Sequence, residues 1–238
     1  MDEAFLTQIR AKAQEGIANR LFKEGNETDS LLRAFGSEVA AKTGAAPIYG
    51  PLKARAGRAT DKVRDDYGGD WYELKDVVRM TFVASTSEML RQVQMAIRSG
   101  AVASEFRGMI KDVETFSHID PCGYSGLNFV VGLKNGRPAE IQANIPGIMY
   151  GKMSENSFTS NLGADLFAQL RARFQLEGGH GHALYEIYRV NPFSVAAKHA
   201  AFVSKAYYAH FRERPTMERN ELQLELDGLK QAHPRLFH

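Results

Sequence analysis

Apolar residues recur at every fourth position from Phe5 through Ile9, Ala13 and Ile17 to Leu21, along one stripe of an N-terminal helix. Gly25-Asn26 is expected to end that helix, and Asp29 or Ser30 to cap a second one through Leu32, Phe35 and Val39, stopped at Thr43-Gly44. A basic stretch follows, PLKARAGRATDKVRDD (51–66), turning helical near Arg58 and broken by YGGD at 67–70. VVRMTFVA (77–84) is β-branched and apolar, the pattern of a strand covered on both faces. Ser85-x-x-Glu88 is a capping box opening a helix through Leu90, Val93 and Ile97. IKDVETFSHI (110–119) alternates as a further strand, and residues 127–133 and 137–144 make a hairpin around Asn135-Gly136.

Beyond the hairpin, Phe158, Leu162, Leu166, Leu170 and Phe174 form another four-residue stripe, stopped by Gly178-Gly179. GHALYEIYRV follows, then a helix over about 194–212, Pro215, and a short amphipathic helix through Leu222, Leu226 and Leu229. The centre reads strand, helix, strand, strand, strand. That order predicts an α/β (α+β) fold, a mixed sheet of about five strands flanked by helices, with helical additions at both ends.

At 238 residues and 44% hydrophobic, the chain suits one domain with elaborations, or one domain plus a small helical part. A net charge of +2 is too small to mark a nucleic-acid binder by itself. The single cysteine, Cys122, excludes a disulfide framework and fits a reducing compartment. The N-terminus lacks a signal peptide's apolar core, and no stretch nears the roughly 20 apolar residues that span a bilayer. A soluble protein without membrane contact is expected, acting in the cytoplasm of its own cell or of one into which it is delivered.

Phosphate-loop, dinucleotide-fingerprint and H-E-x-x-H patterns are all missing. His180 and His182 lack nearby Cys or His partners and read as loop or helix-start residues rather than metal ligands. Lys53, Arg55, Arg58, Lys62 and Arg64 crowd twelve positions. They read either as a solvated helix balanced by Asp61, Asp65 and Asp66, or as a clamp in which several donors converge on a polyphosphate. Asp76 opens the first apolar strand and Glu140 lies between apolar neighbours in the last. A buried carboxylate costs several kcal/mol unless it is paired or holds a cation. Either each acid pairs with an arginine such as Arg79 or Arg137, or the two converge on Mg²⁺ carried by a nucleotide's phosphates.

Lys-x4-Arg-x3-Lys, DYGGD, LKDVVRMTFV, GYSG and AEIQ, in that order, resemble the synthetase domain of the RelA/SpoT-homologue family, the alarmone synthetases and their toxic small relatives. The resemblance covers roughly residues 48–190, so the expected organisation is N-terminal helices over 1–47 packing on the core, a nucleotidyltransferase-like synthetase core over 48–190, and a helical extension over 191–238. It implies a Mg²⁺-dependent pyrophosphokinase that moves the β,γ-diphosphate of ATP to the ribose 3′-hydroxyl of a purine nucleotide, GDP or GTP first and ADP or ATP second. Asp76 matches the family's magnesium-binding aspartate, and Glu140 the glutamate that helps bind metal and activates the acceptor hydroxyl. Tyr124 matches the tyrosine that stacks on the acceptor base; Lys53, Arg58 and Lys62 fall where cations meet the donor's phosphates, with Arg55 among them. Gln142 completes the EIQ signature on the strand face of Glu140.

Several positions depart from the family pattern. Pro51 stands where housekeeping members carry Arg, and the usual Asp-x-x-Gly-x-Arg becomes Asp76 through Thr81, so Arg79 is expected to take the adenine contact. Asn128 replaces the usual His among the acceptor-side residues, and Asn144 the usual Arg after EIQ. His118-Ile119-Asp120 falls in a predicted strand and is no hydrolase dyad. Product made and not removed suits the toxic branch, with a neutralising antitoxin or immunity protein as partner. Two alternatives stay open. One is the same transfer to the 3′ end of tRNA, with Lys198, Lys205, Arg212, Arg214 and Arg219 as RNA contacts diluted by Glu213, Glu218 and Glu221; the other is an inactive nucleotide- or partner-binding domain.

Overall fold

A computed structural model describes residues 3–100 and 106–237, with the side chains of Phe5 and Arg58 outside the description. In chain order the elements are α1 (Glu3–Lys23), α2 (Gly25–Thr43), β1 (Ala46–Tyr49), α3 (Arg58–Asp66), a 3₁₀ turn (Trp71–Glu73), β2 (Arg79–Val83), α4 (Ser87–Ser99), β3 (Phe106–Thr115), β4 (Gly126–Leu133) and β5 (Pro138–Asn144). Then come α5 (Pro146–Lys152), α6 (Glu155–Leu162), α7 (Ala164–Phe174), α8 (Gly181–Val190), α9 (Val195–Phe211) and α10 (Arg219–Ala232). The five strands form one mixed sheet in the order β1-β2-β5-β4-β3, the expected α+β class. The chain forms two compact units, one of Met1–Phe82, Glu88–Val113 and Asn128–Ala143, the other of Val83–Ser87, Glu114–Leu127 and Asn144–His238.

In the first unit, Ala18 and Leu21 of α1 pack with Ala59 and Val63 of α3 and with Trp71, Leu74 and Val77, while Phe22 meets Trp71 edge-on at 5.8 Å. Gln14 ties the same layer together, donating to Asp70 at 3.1 Å and accepting the Trp71 N–H at 2.8 Å. This small core fixes α3 and the segment carrying Asp76. Only the C-terminal half of the α1 stripe takes part, since Ile9 is 48% exposed.

Gly25 opens α2 instead of ending α1, and Asp29 and Ser30 lie inside that helix rather than capping it. The glycine is needed for space: a Cβ there would sit 2.9 Å from Leu52. Gly44 ends α2 as expected, in the left-handed region at φ +74°. The strand expected over 77–84 shortens to β2, and the one expected over 110–119 shifts to β3, leaving His118 in a turn rather than a strand. The hairpin is a three-residue loop. Gly136 N–H donates to the Leu133 carbonyl at 2.7 Å, Leu133 N–H to the Arg137 carbonyl at 2.9 Å, and Gly136 takes φ +78°.

In the second unit, α5 is an element the stripe reading missed, although Pro146 at its first turn was a readable start signal. The single stripe from Phe158 to Phe174 breaks at Gly163 (φ +92°) into α6 and α7. Tyr150, Phe158, Phe167, Phe174, Tyr207 and Phe211 make an aromatic core, with α9 as its central helix. Leu222, Leu226 and Leu229 of α10 are buried, as their spacing predicts.

Candidate active site

Past Tyr49 the chain keeps pairing: Gly50 N–H donates to the Arg79 carbonyl at 2.9 Å and Lys53 N–H to that of Val77 at 3.0 Å. That register carries Lys53 alongside Asp76. Lys53 Nζ donates to Asp76 Oδ2, and Lys62 Nζ reaches the same oxygen from α3 at 3.2 Å. Asp76 is 8% exposed, and its other oxygen, Oδ1, is buried without a hydrogen-bond partner. Buried polar atoms are nearly always satisfied, so an orphan of this kind marks a place for a further donor or a cation.

Burial pushes the Asp76 carboxyl upward, but hydrogen bonding and charge from Lys53 and Lys62 outweigh it, and its pKa lies below the ordinary 3.8. Burial is also the largest influence on Lys53 and lowers it against the pull of Asp76, with the positive charges of Lys62 and Arg79 adding to the effect. Lys62 is raised: burial acts downward, but the Tyr67 hydroxyl and Asp76 together exceed it. The three half-buried to buried side chains together carry a net single positive charge, a setting for phosphate oxygens.

The basic segment divides: part of it is a solvated, self-paired helix face and part turns toward Asp76. Arg64 pairs with Asp61 at 3.1 Å and Asp65 at 2.6 Å as a solvated helix would, whereas Lys62 turns to Asp76. Arg55 departs from the expected clamp: its guanidinium bonds Glu15 and Asn19 of α1 and lies 5.5 Å over the Trp71 ring. The Arg58 side chain lies outside the described residues.

Glu140 is not a core residue. Along β5, Ala139, Ile141 and Ala143 are fully buried, while Glu140 and Gln142 face the half-buried side. Its backbone N–H donates to the Val78 carbonyl at 3.1 Å, two residues from Asp76, so the chain brings both acids to one stretch of the β2–β5 pairing. Glu140 Oε1 accepts from Gln142 Nε2 at 2.6 Å. Arginine pairing does not explain the two acids: Arg137 pairs with Glu24, and Asp76 is held by lysines. A shallow cleft of about 270 Å³ lies over this face, lined by Lys111, Val113, Asn128, Phe129, Val130 and Glu140. Asn128 is thus gathered with Glu140. Lys111 is a cation that the sequence reading passed over; its place in one cleft with a carboxylate two strands away depends on strand order, which spacing along the chain does not give.

Tyr124 belongs to the second unit and is half-buried. Its bend is shaped by Asp120, whose Oδ1 accepts the Cys122 N–H at 2.8 Å and the Tyr124 N–H at 3.0 Å, and by Gly123 at φ +73°. The ring meets Tyr208 edge-on at 5.7 Å, and the Lys152 ammonium lies 5.1 Å from its centre. Asn144, 3% exposed, donates to the Tyr124 hydroxyl at 3.0 Å and to the Ser125 carbonyl at 2.7 Å, which explains a short amide at that position. Two cations of the tail are tied down: Arg212 donates to the Gly123 carbonyl at 2.9 Å, and Arg219 to Gln175. Glu186 and Arg189 form an i,i+3 pair at 2.6 Å. His180 is half-buried beside Glu177 at 3.2 Å, and His182 is 3.5 Å from Glu186. Among the described residues no group of three or more His, Cys, Asp or Glu side chains gathers as a metal site, and no helix is long and apolar enough to cross a membrane.

No protein-family model matches the chain. Over 181 residues, 76% of its length, it is 34% identical to the "(p)ppApp synthetase toxin Tas1" of Pseudomonas aeruginosa, and it spans 39% of that relative. Among solved structures it is similar to a chain in the complex between the Type VI effector Tas1 and its immunity protein, with a TM-score of 0.70 and 32% identity over 82% of this chain and 96% of that one. Small alarmone synthetase 2 from Bacillus subtilis aligns at a TM-score of 0.44 and 16% identity, covering 90% of this chain and 97% of that one.

Proposed function

This chain belongs to the RelA/SpoT-homologue family of alarmone synthetases, and from that premise we propose that it is a pyrophosphokinase toxin. It moves the β,γ-diphosphate of ATP to the ribose 3′-hydroxyl of a purine nucleotide and releases AMP. The observation that carries the reading is Asp76, with one oxygen gripped by two lysines and the other buried and unpartnered. We take residues 48–190 as the synthetase core.

The donor set suits a hard divalent ion. Mg²⁺ is held by one or two carboxylates together with substrate phosphates, and Asp76 Oδ1 and Glu140 are the oxygens available for it. When bound, the ion neutralises charge on the transferring phosphates. Lys53 and Lys62 take donor phosphate oxygens, and Arg79 the donor base. Glu140 receives the hydroxyl proton at Oε2, since its Oε1 is engaged by Gln142. The 3′-oxygen then attacks the β-phosphorus, the bond from the β-phosphorus to the α–β bridging oxygen breaks, and AMP leaves with that oxygen. Alignment and charge neutralisation supply the rate, and no covalent enzyme intermediate is needed. Tyr124 stacks on the acceptor base.

The name of the Pseudomonas relative favours adenine nucleotides over guanine nucleotides as acceptors. The crystallised complex of Tas1 with its immunity protein favours a neutralising protein partner for this chain, and with it action in a recipient cytoplasm. Transfer to tRNA loses support from Arg212 and Arg219, which are engaged within the fold. The test is incubation with γ-labelled ATP and Mg²⁺ and, separately, AMP, ADP, GDP, GTP and deacylated tRNA. Label is expected on the adenine nucleotides with one AMP released per transfer, and none after chelation of Mg²⁺. Label on no acceptor would refute the reading.

A further inference from the structure

Arg79, at the start of β2 next to the segment carrying Lys53, has a glycine as its seat. It is exposed, and among the described residues its guanidinium has no ion pair or hydrogen bond. Its carbonyl and that of Val77 pair with Gly50 and Lys53 respectively, which sets Arg79 on the strand beside the segment carrying Lys53. Its stem lies across Gly50: a Cβ built on Gly50 would stand 2.7 Å from Arg79 Cγ, 2.9 Å from Nε and 3.3 Å from Cδ. Gly50 is not among the residues with positive φ, so an alanine could adopt its backbone conformation; only the space is missing. The Gly50 N–H donates to the Arg79 carbonyl at 2.9 Å, which fixes the two backbones side by side beneath the Arg79 stem.

We infer that Gly50 is a positioning residue for the donor nucleotide: its bare Cα is the slot that aims the Arg79 guanidinium at the purine of ATP, beside the lysines that take the phosphates. A planar guanidinium stacks on an aromatic ring at lower entropic cost when its stem is held in advance, and a stem pressed onto backbone is so held. The inference rests on the pyrophosphokinase reading.

The test compares Gly50→Ala, Arg79→Ala and the double variant by calorimetric binding of two probes, α,β-methylene-ATP and inorganic tripolyphosphate. Gly50→Ala should weaken the nucleotide about tenfold and leave tripolyphosphate, which has no base, unchanged. Arg79→Ala should do at least as much, and adding Gly50→Ala to it should cost nothing more, because the slot then has nothing to aim. In turnover the loss should fall on KM for ATP, not on kcat. Wild-type affinity in either single variant, multiplied losses in the double, or equal loss of tripolyphosphate would overturn the inference. Should Gly50→Ala fail to fold, Arg79→Gln decides alone, since its side chain is exposed and unchanged nucleotide affinity would refute the platform. A wild-type protein that binds the nucleotide analogue but transfers no diphosphate would sink the enzyme reading and leave this one standing.

Discussion

Replacing Asp76 by Asn keeps the side chain's size and removes its charge, leaving Lys53 and Lys62 facing a neutral amide. Two charge-assisted hydrogen bonds weaken, each worth about 1.5–3 kcal/mol. Against that, the cost of burying a carboxylate disappears, and burial is the largest single influence on this group. The amide oxygen can still accept from one lysine, so the net loss of stability should be about 2 kcal/mol. With a urea slope of about 2 kcal/mol per molar, the unfolding midpoint falls by about 1 M. Because the folded pKa of Asp76 is depressed, its contribution is complete above the unfolded value near 3.8 and is lost as pH falls through the folded one. The variant should therefore show a smaller loss of stability than wild type below about pH 4. Diphosphate transfer should fall further than stability does, because charge neutralisation of the phosphates goes with the carboxylate; about 4 kcal/mol on the barrier is roughly a thousandfold. Urea titration and labelled-ATP transfer on the same preparation read both. A variant as stable as wild type that transfers within tenfold of it would refute the reasoning.

Asn144→Ala should raise KM for the acceptor several-fold and leave ATP binding alone, because it frees the Tyr124 hydroxyl and leaves the Ser125 carbonyl unpaired. It should also cost about 1–3 kcal/mol in a urea titration, and an unmoved acceptor KM would sever Tyr124 from recognition. Burial holds the His180 imidazole below its ordinary 6.5 despite the opposing pull of Glu177, so the fold favours the neutral ring. Stability from this group is complete above about pH 6.5 and declines as pH drops below it, when the unfolded chain takes up the proton first. His180→Gln should flatten that decline in urea midpoints taken between pH 7.5 and 5.5; an identical slope would exclude His180 as its source.

The hairpin could be read directly from the sequence because Asn135-Gly136 encodes its own turn, with the glycine in the left-handed region and the Asn135 side chain accepting the Arg137 N–H at 3.1 Å. Alternation along β5 also identified Glu140 and Gln142 as a pair, although it suggested a buried acid where Glu140 stands on the open face between the buried Ala139 and Ile141. What spacing could not convey is which cation meets which anion. Lys53 and Lys62 converge on Asp76 because a loop continues the β1 pairing and α3 sits on the Leu21–Trp71 layer, whereas Arg55, in the same run, turns to Glu15. Gly25 misleads because it looks like a chain breaker, whereas it is there because Leu52 occupies the place of its Cβ; Gly50, which carries no pattern signal, makes room for Arg79 in the same way. Gly163 does break a helix, but nothing in the stripe around it distinguishes the two cases.

Glu140 as the group that takes the acceptor's proton beside the Asp76 site is the central claim. Its most direct test is single-turnover transfer from γ-labelled ATP by Glu140→Gln, with binding of α,β-methylene-ATP measured in parallel. Labelled product should fall by a thousandfold or more while the analogue binds within a fewfold of wild type. Labelled product forming at the wild-type rate in Glu140→Gln would contradict it.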